Sequence, residues 1–318
     1  LAVNLLPSAI QPIKMRSNMN AVGTYLLITL ATLFWGANFV LAGPVLHDLP
    51  PLWAAALRFV VSAVLMIAIA SGRGEALRGP ARAHAGVYAL LGVVGILGFN
   101  LLFFFAMQST SAANGALIMA TNPLVTTLVA AAMLGERANR KQWLALPLAF
   151  VGVLVVITGG HPGRVTTLQF APGDLLMLGA NVTFALYNVL GRRFMPPGSA
   201  FVNTTLVTAA GATLLLFAAL VSGEAPAVPG VKASLALAVM AVGGTVLAYL
   251  FWNTGLQRLG ASRTALFFNL VPVFTLLTGA VVGVLPSHAQ LFGAVLVLGS
   301  VTLAMWPVRK PAASPSAA

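Results

Sequence analysis

The residues of this chain best suited to recognising a small molecule are carboxamides and aromatic rings set three and four apart, the spacing that gathers side chains on one helix face. Trp35, Asn38 and Phe39 form one such group and Phe184, Tyr187 and Asn188 a second; Asn100, Phe103 and Phe104 form a third, and Tyr249, Trp252 and Asn253 a fourth. Faces of this kind bind by hydrogen bonds and ring contacts, without proton transfer or metal chemistry. For any single residue, core packing with a satisfied amide is the simpler reading; four similar faces are harder to assign to packing alone. Two prolines add a second feature. Pro123, preceded by Asn122, and Pro272 each stand about halfway along an apolar run. A proline inside a helix frees the carbonyl four residues earlier, here those of Met119 and Phe268.

The elements that position these groups follow from composition. Of 318 residues, 59% are hydrophobic and 7% charged, against roughly 25% charged in a soluble domain. Apolar runs of about twenty residues recur along the chain, each long enough to cross a hydrocarbon core as helix. They lack the alternation of barrel strands, so the expected class is an all-α integral membrane protein with the lipid bilayer as its main partner. Ten transmembrane helices are expected at residues 22–43, 51–71, 85–107, 112–134, 141–158, 173–191, 200–222, 233–257, 262–284 and 287–307. Residues 1–21 are expected to form an N-terminal cytoplasmic segment, with Met19 as the natural start, and 308–318 a disordered cytoplasmic tail.

With the N-terminus in the cytoplasm, 14 of the 17 Lys and Arg fall on the inner side, and only Arg164 and Lys232 on the outer. This is the positive-inside pattern, and it places both termini in the cytoplasm. The net charge of +12 is then a signal of topology rather than of a nucleic-acid partner. The first helix is expected to be retained, not cleaved as a signal peptide.

Arg58 is the one basic residue deep within a span, and its guanidinium is expected to snorkel to the outer surface. The alternative is that it faces the interior, where it could hold a carboxylate or phosphate. Asp48, Glu75, Glu136, Asp174 and Glu224, like His47, His84, His161 and His288, fall in loops or at helix ends. No proton-carrying carboxylate is therefore expected at depth, and no base or ligand set for a hydrolase or a metal site. The absence of cysteine excludes thiol chemistry. No cofactor is expected.

The chain also matches itself at a constant offset. Pro123 falls on Pro272 and Gln108 on Gln257, since 272 − 123 and 257 − 108 are both 149. Two copies of a five-helix unit must cross the membrane in opposite senses, which is an inverted-topology repeat. The copies are expected at 22–158 and 173–307.

The segments "LFWGANFVL", "SAANGALIMATNPLVTTLVAAAMLGER" and "GASRTALFFNLVPVFTLLTGAVVG" resemble the paired EamA-type repeats of the drug/metabolite transporter superfamily, and within it the YddG-type exporters of aromatic and other amino acids. The resemblance implies a ten-helix basket around a central cavity and export by alternating access. It carries over Trp35, Asn38, Asn122, Pro123, Glu136 and Pro272; the second copy lacks the acid equivalent to Glu136. The expected substrate-binding set is Trp35, Asn38, Asn100, Phe103, Met119, Asn122, Tyr187, Asn188, Tyr249, Trp252, Asn253, Phe268 and Asn269, with Pro123 and Pro272 as helix breaks. A neutral cavity of this kind suits a zwitterionic amino acid or a similar small metabolite, carried across a bacterial inner membrane with no oligomer required. Export of other metabolites or drugs, or a receptor or assembly protein without transport, are the competing readings.

Overall fold

Because hydrocarbon offers no partners for backbone polar groups, apolar segments this long fold as helices that satisfy themselves. The computed structural model describes residues 13–110, 112–135, 140–158, 172–283 and 288–305, with Gly160, Gly163 and Leu285 between them. Glu136, His161, Arg164, residues 1–12 and the tail 308–318 lie outside the described residues. Every regular element described is helical.

The first half runs through α1 (Ile13–Asp48), α2 (Pro51–Gly72), the short α3 (Arg78–Ala83) and α4 (Ala85–Leu91). A π-helical segment, π1 (Gly92–Gly98), joins α4 to α5 (Phe99–Ala106), and α6 (Ala112–Ala120), α7 (Asn122–Leu134) and α8 (Arg140–Thr158) follow. The second half contains α9 (Pro172–Phe194), α10 (Ala200–Val221), α11 (Val231–Ala241), a second π segment, π2 (Val242–Leu247), and α12 (Ala248–Leu259). It continues with α13 (Ala261–Ala265), a 3-10 turn (Leu266–Leu270), α14 (Val271–Val281) and α15 (His288–Met305).

Among the described residues, seven helical stretches are long and apolar enough to cross a membrane: Ala21–Asp48, Pro51–Gly72, Ala85–Ala106, Pro172–Phe194, Ala200–Val221, Val231–Leu259 and Ala261–Val281. At the other three expected positions stand the interrupted pair α6 and α7, then α8, then α15. α1 begins well before residue 22, so part of the expected N-terminal segment is helix. Val61, Val64, Leu128, Leu144, Phe217 and Val295 point outward and are exposed, as lipid-facing side chains are.

The irregularities of the first half recur in the second. α2 and α10 begin and end 149 residues apart, since 200 − 51 and 221 − 72 are both 149. π1 and π2 end at residues 98 and 247, and the interruptions at Thr121 and Leu270 are again separated by 149. The halves pack across each other: α1 lies against α11, α12 and α14, α9 against α5 and α7, α2 against α10, and α8 against α15.

Pro123 and Pro272 do break the helices, but not as defects in a continuous rod. Each sits in the first turn of a restarted helix, α7 or α14, where a missing N–H is one of the donors a helix start leaves unpaired anyway.

Close approach of α10 to π1 depends on glycine. A Cβ on Gly211 would lie 2.2 Å from Ile96 Cβ, and one on Gly92 would lie 2.9 Å from the Gly211 nitrogen. Gly211→Leu is therefore expected to lower stability by about 1–3 kcal/mol through overpacking, read as a lower thermal unfolding midpoint of the purified protein in detergent. An unchanged midpoint would contradict this contact.

Candidate functional site

Where α1 crosses π2 and α12, and α9 crosses π1 and α5, the helices enclose a small cavity. It is lined by Trp35, Asn38, Phe39, Arg58, Phe99, Phe103, Met119, Phe184, Tyr249 and Phe268 and has a volume of about 20 Å³, room for roughly one water molecule. Trp35 is its hub. The rings of Phe184, Tyr249, Trp252 and Phe268 lie 5.4, 5.8, 4.9 and 5.3 Å from it, centroid to centroid. Each such pair contributes on the order of 0.5–1.5 kcal/mol beyond area burial, which favours the closed cluster over an open, water-filled hollow.

The polar side of the cavity is built on π2. A π segment disrupts the regular i→i−4 ladder, and within it the Gly244 carbonyl accepts from Trp35 Nε1 and from Arg58 Nη2, each at 3.0 Å. Arg58 Nε donates to Thr245 Oγ1 at 2.8 Å. With the Asn38 amide oriented to suit its neighbours, its oxygen accepts from Arg58 Nη2 at 3.1 Å and its nitrogen donates to the Phe34 carbonyl at 3.3 Å. The Arg58 guanidinium also lies 5.2 Å from the Phe59 ring centroid. Arg58 is 3% exposed. It does not snorkel to the surface, because the Gly244 carbonyl, the Thr245 hydroxyl, the Asn38 amide and the Phe59 ring solvate it internally.

The equivalent position in π1 is Gly95, since 244 − 149 = 95, and its carbonyl faces the Tyr249 hydroxyl at 3.5 Å. The two glycines also receive equivalent residues of the opposite half. A Cβ on Gly244 would meet the Asn38 amide group at 2.4 Å, and one on Gly95 would meet Tyr187 Cδ2 at 2.1 Å.

Of the expected binding residues, Trp35, Asn38, Phe103, Met119, Tyr249 and Phe268 line the cavity. Most of the expected carboxamides do not. Asn122 Nδ2 donates to Asn181 Oδ1 at 2.8 Å, Thr126 Oγ1 donates to Asn122 Oδ1 at 3.0 Å, and Trp252 Nε1 donates to Asn188 Oδ1 at 2.8 Å. Asn188 Nδ2 approaches Thr126 Oγ1 at 3.4 Å, which links these groups into one buried chain. Tyr187 donates its hydroxyl to Asn253 Oδ1 at 2.8 Å, and Asn253 Nδ2 donates to Thr204 at 2.9 Å. Asn100 Nδ2 returns to the Ile96 carbonyl of its own helix at 2.9 Å. Asn269 borders a separate apolar groove with Trp143 and Phe150. Asn122, Asn188 and Asn253 turn from the cavity because neighbouring polar side chains claim them. Trp252 packs behind the lining rings in edge-on and tilted contacts.

At the second break the freed Phe268 carbonyl is also taken. Val271 N donates to the Phe268 carbonyl through the 3-10 turn. At the first break the Ile118 carbonyl accepts from Asn181 Nδ2 at 2.8 Å and from Thr121 Oγ1 at 2.7 Å. Met119 and Phe268 thus reach the cavity with side chains. Asn181 was not among the expected residues, yet it lies seven residues before Asn188, two helical turns along the same face, and that spacing is visible in the sequence. Phe99 lacked any such signal.

Both ends of the bundle are tied. At one, Arg192 Nη1 donates to the Gln257 carbonyl at 2.9 Å, Arg193 Nη1 to the Met133 carbonyl at 2.9 Å, and Arg258 Nη1 to Thr24 Oγ1 at 3.1 Å. At the other, the Gly230 amide donates to Asp48 Oδ2, and Trp53 Nε1 to the Glu224 carbonyl, each at 2.8 Å.

A sequence profile of the EamA-like transporter family matches the chain twice, over residues 22–158 and 171–306. The chain belongs to this family. Among its EamA-like relatives, the Bacillus subtilis protein named "Uncharacterized transporter YyaM" is 39% identical over 92% of this chain and 97% of its own length. A Salmonella typhimurium protein named "Probable amino-acid metabolite efflux pump" is 28% identical over 89% of this chain and 95% of its own. One solved crystal structure superposes with a TM-score of 0.73 at 25% identity, covering 89% of this chain and 96% of that one. With its membrane-length helices, this makes the chain a multi-pass membrane protein of a transporter family.

Asn181→Leu removes a donor to the Ile118 carbonyl and the acceptor of Asn122. Each side-chain hydrogen bond lost costs about 0.5–1.5 kcal/mol. The variant is expected to unfold at lower temperature than wild type, whereas Val182→Ala on the exposed face should not; equal midpoints for Asn181→Leu and wild type would refute this role.

Proposed function

We propose that this protein is a secondary transporter that exports amino acids or similar small metabolites across a bacterial inner membrane by alternating access. The observation that carries the reading is the Trp35-centred cavity, which both repeated halves build jointly and which lies between two tied ends. At about 20 Å³ it is too small for a metabolite, so this arrangement corresponds to a closed state whose rings part around substrate. The double family match and the recurrence of helix breaks support ten spans arranged as two inverted five-helix repeats, as such carriers are built. The 14 to 2 distribution of Lys and Arg supports cytoplasmic termini. The printed name of the Salmonella relative supports amino-acid export.

No Asp, Glu or His lines the cavity among the described residues. Transport is therefore expected to follow the substrate gradient. In proteoliposomes, an imposed pH gradient alone should produce no accumulation of labelled substrate; accumulation would overturn this part of the reading.

Counterflow of a panel of labelled amino acids tests the function itself, and a lack of exchange for every solute tried would favour a receptor. Trp35→Ala is expected to reduce flux by about tenfold or more, the equivalent of ~1.4 kcal/mol of lost interaction, while the protein remains folded. Phe217→Ala, on the lipid-facing surface, should transport as wild type does.

A further inference from the structure

Arg58 is a buried charge without a counter-ion. A guanidinium stays protonated at any physiological pH, and an ion removed from water is costly unless it is paired. The groups around it are neutral: Asn38 and Trp35 from α1, Phe59 from α2, Gly244 and Thr245 from π2, and Tyr249 from α12. No carboxylate lies against it among the described residues. Its Nε and Nη2 are engaged, whereas the two N–H groups of Nη1 have no partner among the described residues, and the side chain lines the cavity.

The fold itself does not require this charge. Position 58 corresponds in the second half to Val207, since 58 + 149 = 207, and Val207 is buried in the equivalent helix. One copy packs this position with an apolar side chain; the other keeps a cation at the edge of an aromatic cavity.

We propose that Arg58 is the receptor for a substrate carboxylate, held at Nη1 while an apolar or aromatic body replaces the contacts that Trp35, Phe184 and Phe268 make with one another. A monoanion matches the single positive charge. A phosphate dianion would need a second cation, and among the lining residues Arg58 is the one basic side chain. The lining also contains no acid to receive an ammonium, so a deaminated aryl acid satisfies the site as fully as the corresponding amino acid. This assignment rests on reading the cavity as the substrate site.

The test uses the purified full chain in detergent, with tryptophan emission and thermal shift as readouts. The ligands are 3-phenylpropionate, L-phenylalanine, 3-phenylpropionamide and phenyl phosphate. Wild type should bind 3-phenylpropionate at least about tenfold more tightly than the amide, the least expected of a charge-assisted hydrogen bond. Arg58→Met should lose that margin and leave the weak binding of the amide unchanged, and Arg58→Lys should restore part of it. Arg58-dependent binding of L-phenylalanine as well as the acid points to amino acids as the source of the carboxylate; binding of the acid alone points to deaminated acids; both support the assignment. It is overturned if amide and acid bind equally to wild type, if Arg58→Met binds the acid as wild type does, or if phenyl phosphate is preferred. Should Arg58→Met fail to fold, the wild-type ligand series still decides. Flux in proteoliposomes without preference for carboxylates would sink this assignment and leave the transport function standing. Arg58-dependent carboxylate binding without flux of any solute would do the reverse.

Discussion

A backbone group released from its helix inside hydrocarbon must find a partner within the protein, and the interior of this molecule is organised by that constraint. Three carbonyls show it. The Ile118 carbonyl is taken by Asn181 and Thr121, the Phe268 carbonyl by Val271 through a tightened turn, and the Gly244 carbonyl by Trp35 and Arg58 together. The last of these holds the indole at the hub of the aromatic cluster and the guanidinium at the cavity edge. Irregular backbone thus places the groups of the candidate site, and the regular helices serve mainly to bring the irregular stretches face to face.

Much of the architecture was legible from sequence because its signals are local. Hydropathy located the apolar spans, and Pro123 and Pro272 located the interruptions. The repeat offset anticipated the pairing of α2 with α10 in length and position. The inner surface was less legible, because the direction a helix face takes depends on how the helix is rotated among its neighbours. Asn38 and Asn188 carry similar spacing to aromatic neighbours, yet Asn38 meets Arg58 at the cavity while Asn188 serves Trp252 behind it. Arg58 was expected at the surface because snorkelling is the usual way for a long cationic side chain to leave lipid. Its internal partner, the Gly244 carbonyl, lies in the segment VGGTVL, which winds as a π segment, and no periodicity in the sequence announces such a winding. Met119 and Phe268 belong to the lining for a reason other than the one expected: their side chains face the cavity, and the Phe268 carbonyl is already bonded.

The division of labour between polar and aromatic groups is also physical. Buried amides are stabilising only when each donor and acceptor is matched, so they are drawn into the chain from Asn181 through Asn122 and Thr126 to Asn188. Aromatic rings tolerate changes of partner at small cost, since offset and edge-to-face contacts are similar in energy. On the proposed reading, the surface that would open around a guest is therefore made of rings, and the surface that would keep its geometry is made of amides.

The contacts at Gly244 and Gly95 have a mechanical consequence. Asn38 of the first half bears on the backbone of the second, and Tyr187 of the second bears on the backbone of the first, with no space for even a methyl group between them. Parts pressed together so tightly leave no clearance at these two glycines, so under the proposed alternating access the halves would turn about them rather than slide. A seesaw pivoted at its middle cannot lower both ends at once: in that proposed motion, widening one mouth of the molecule would narrow the other.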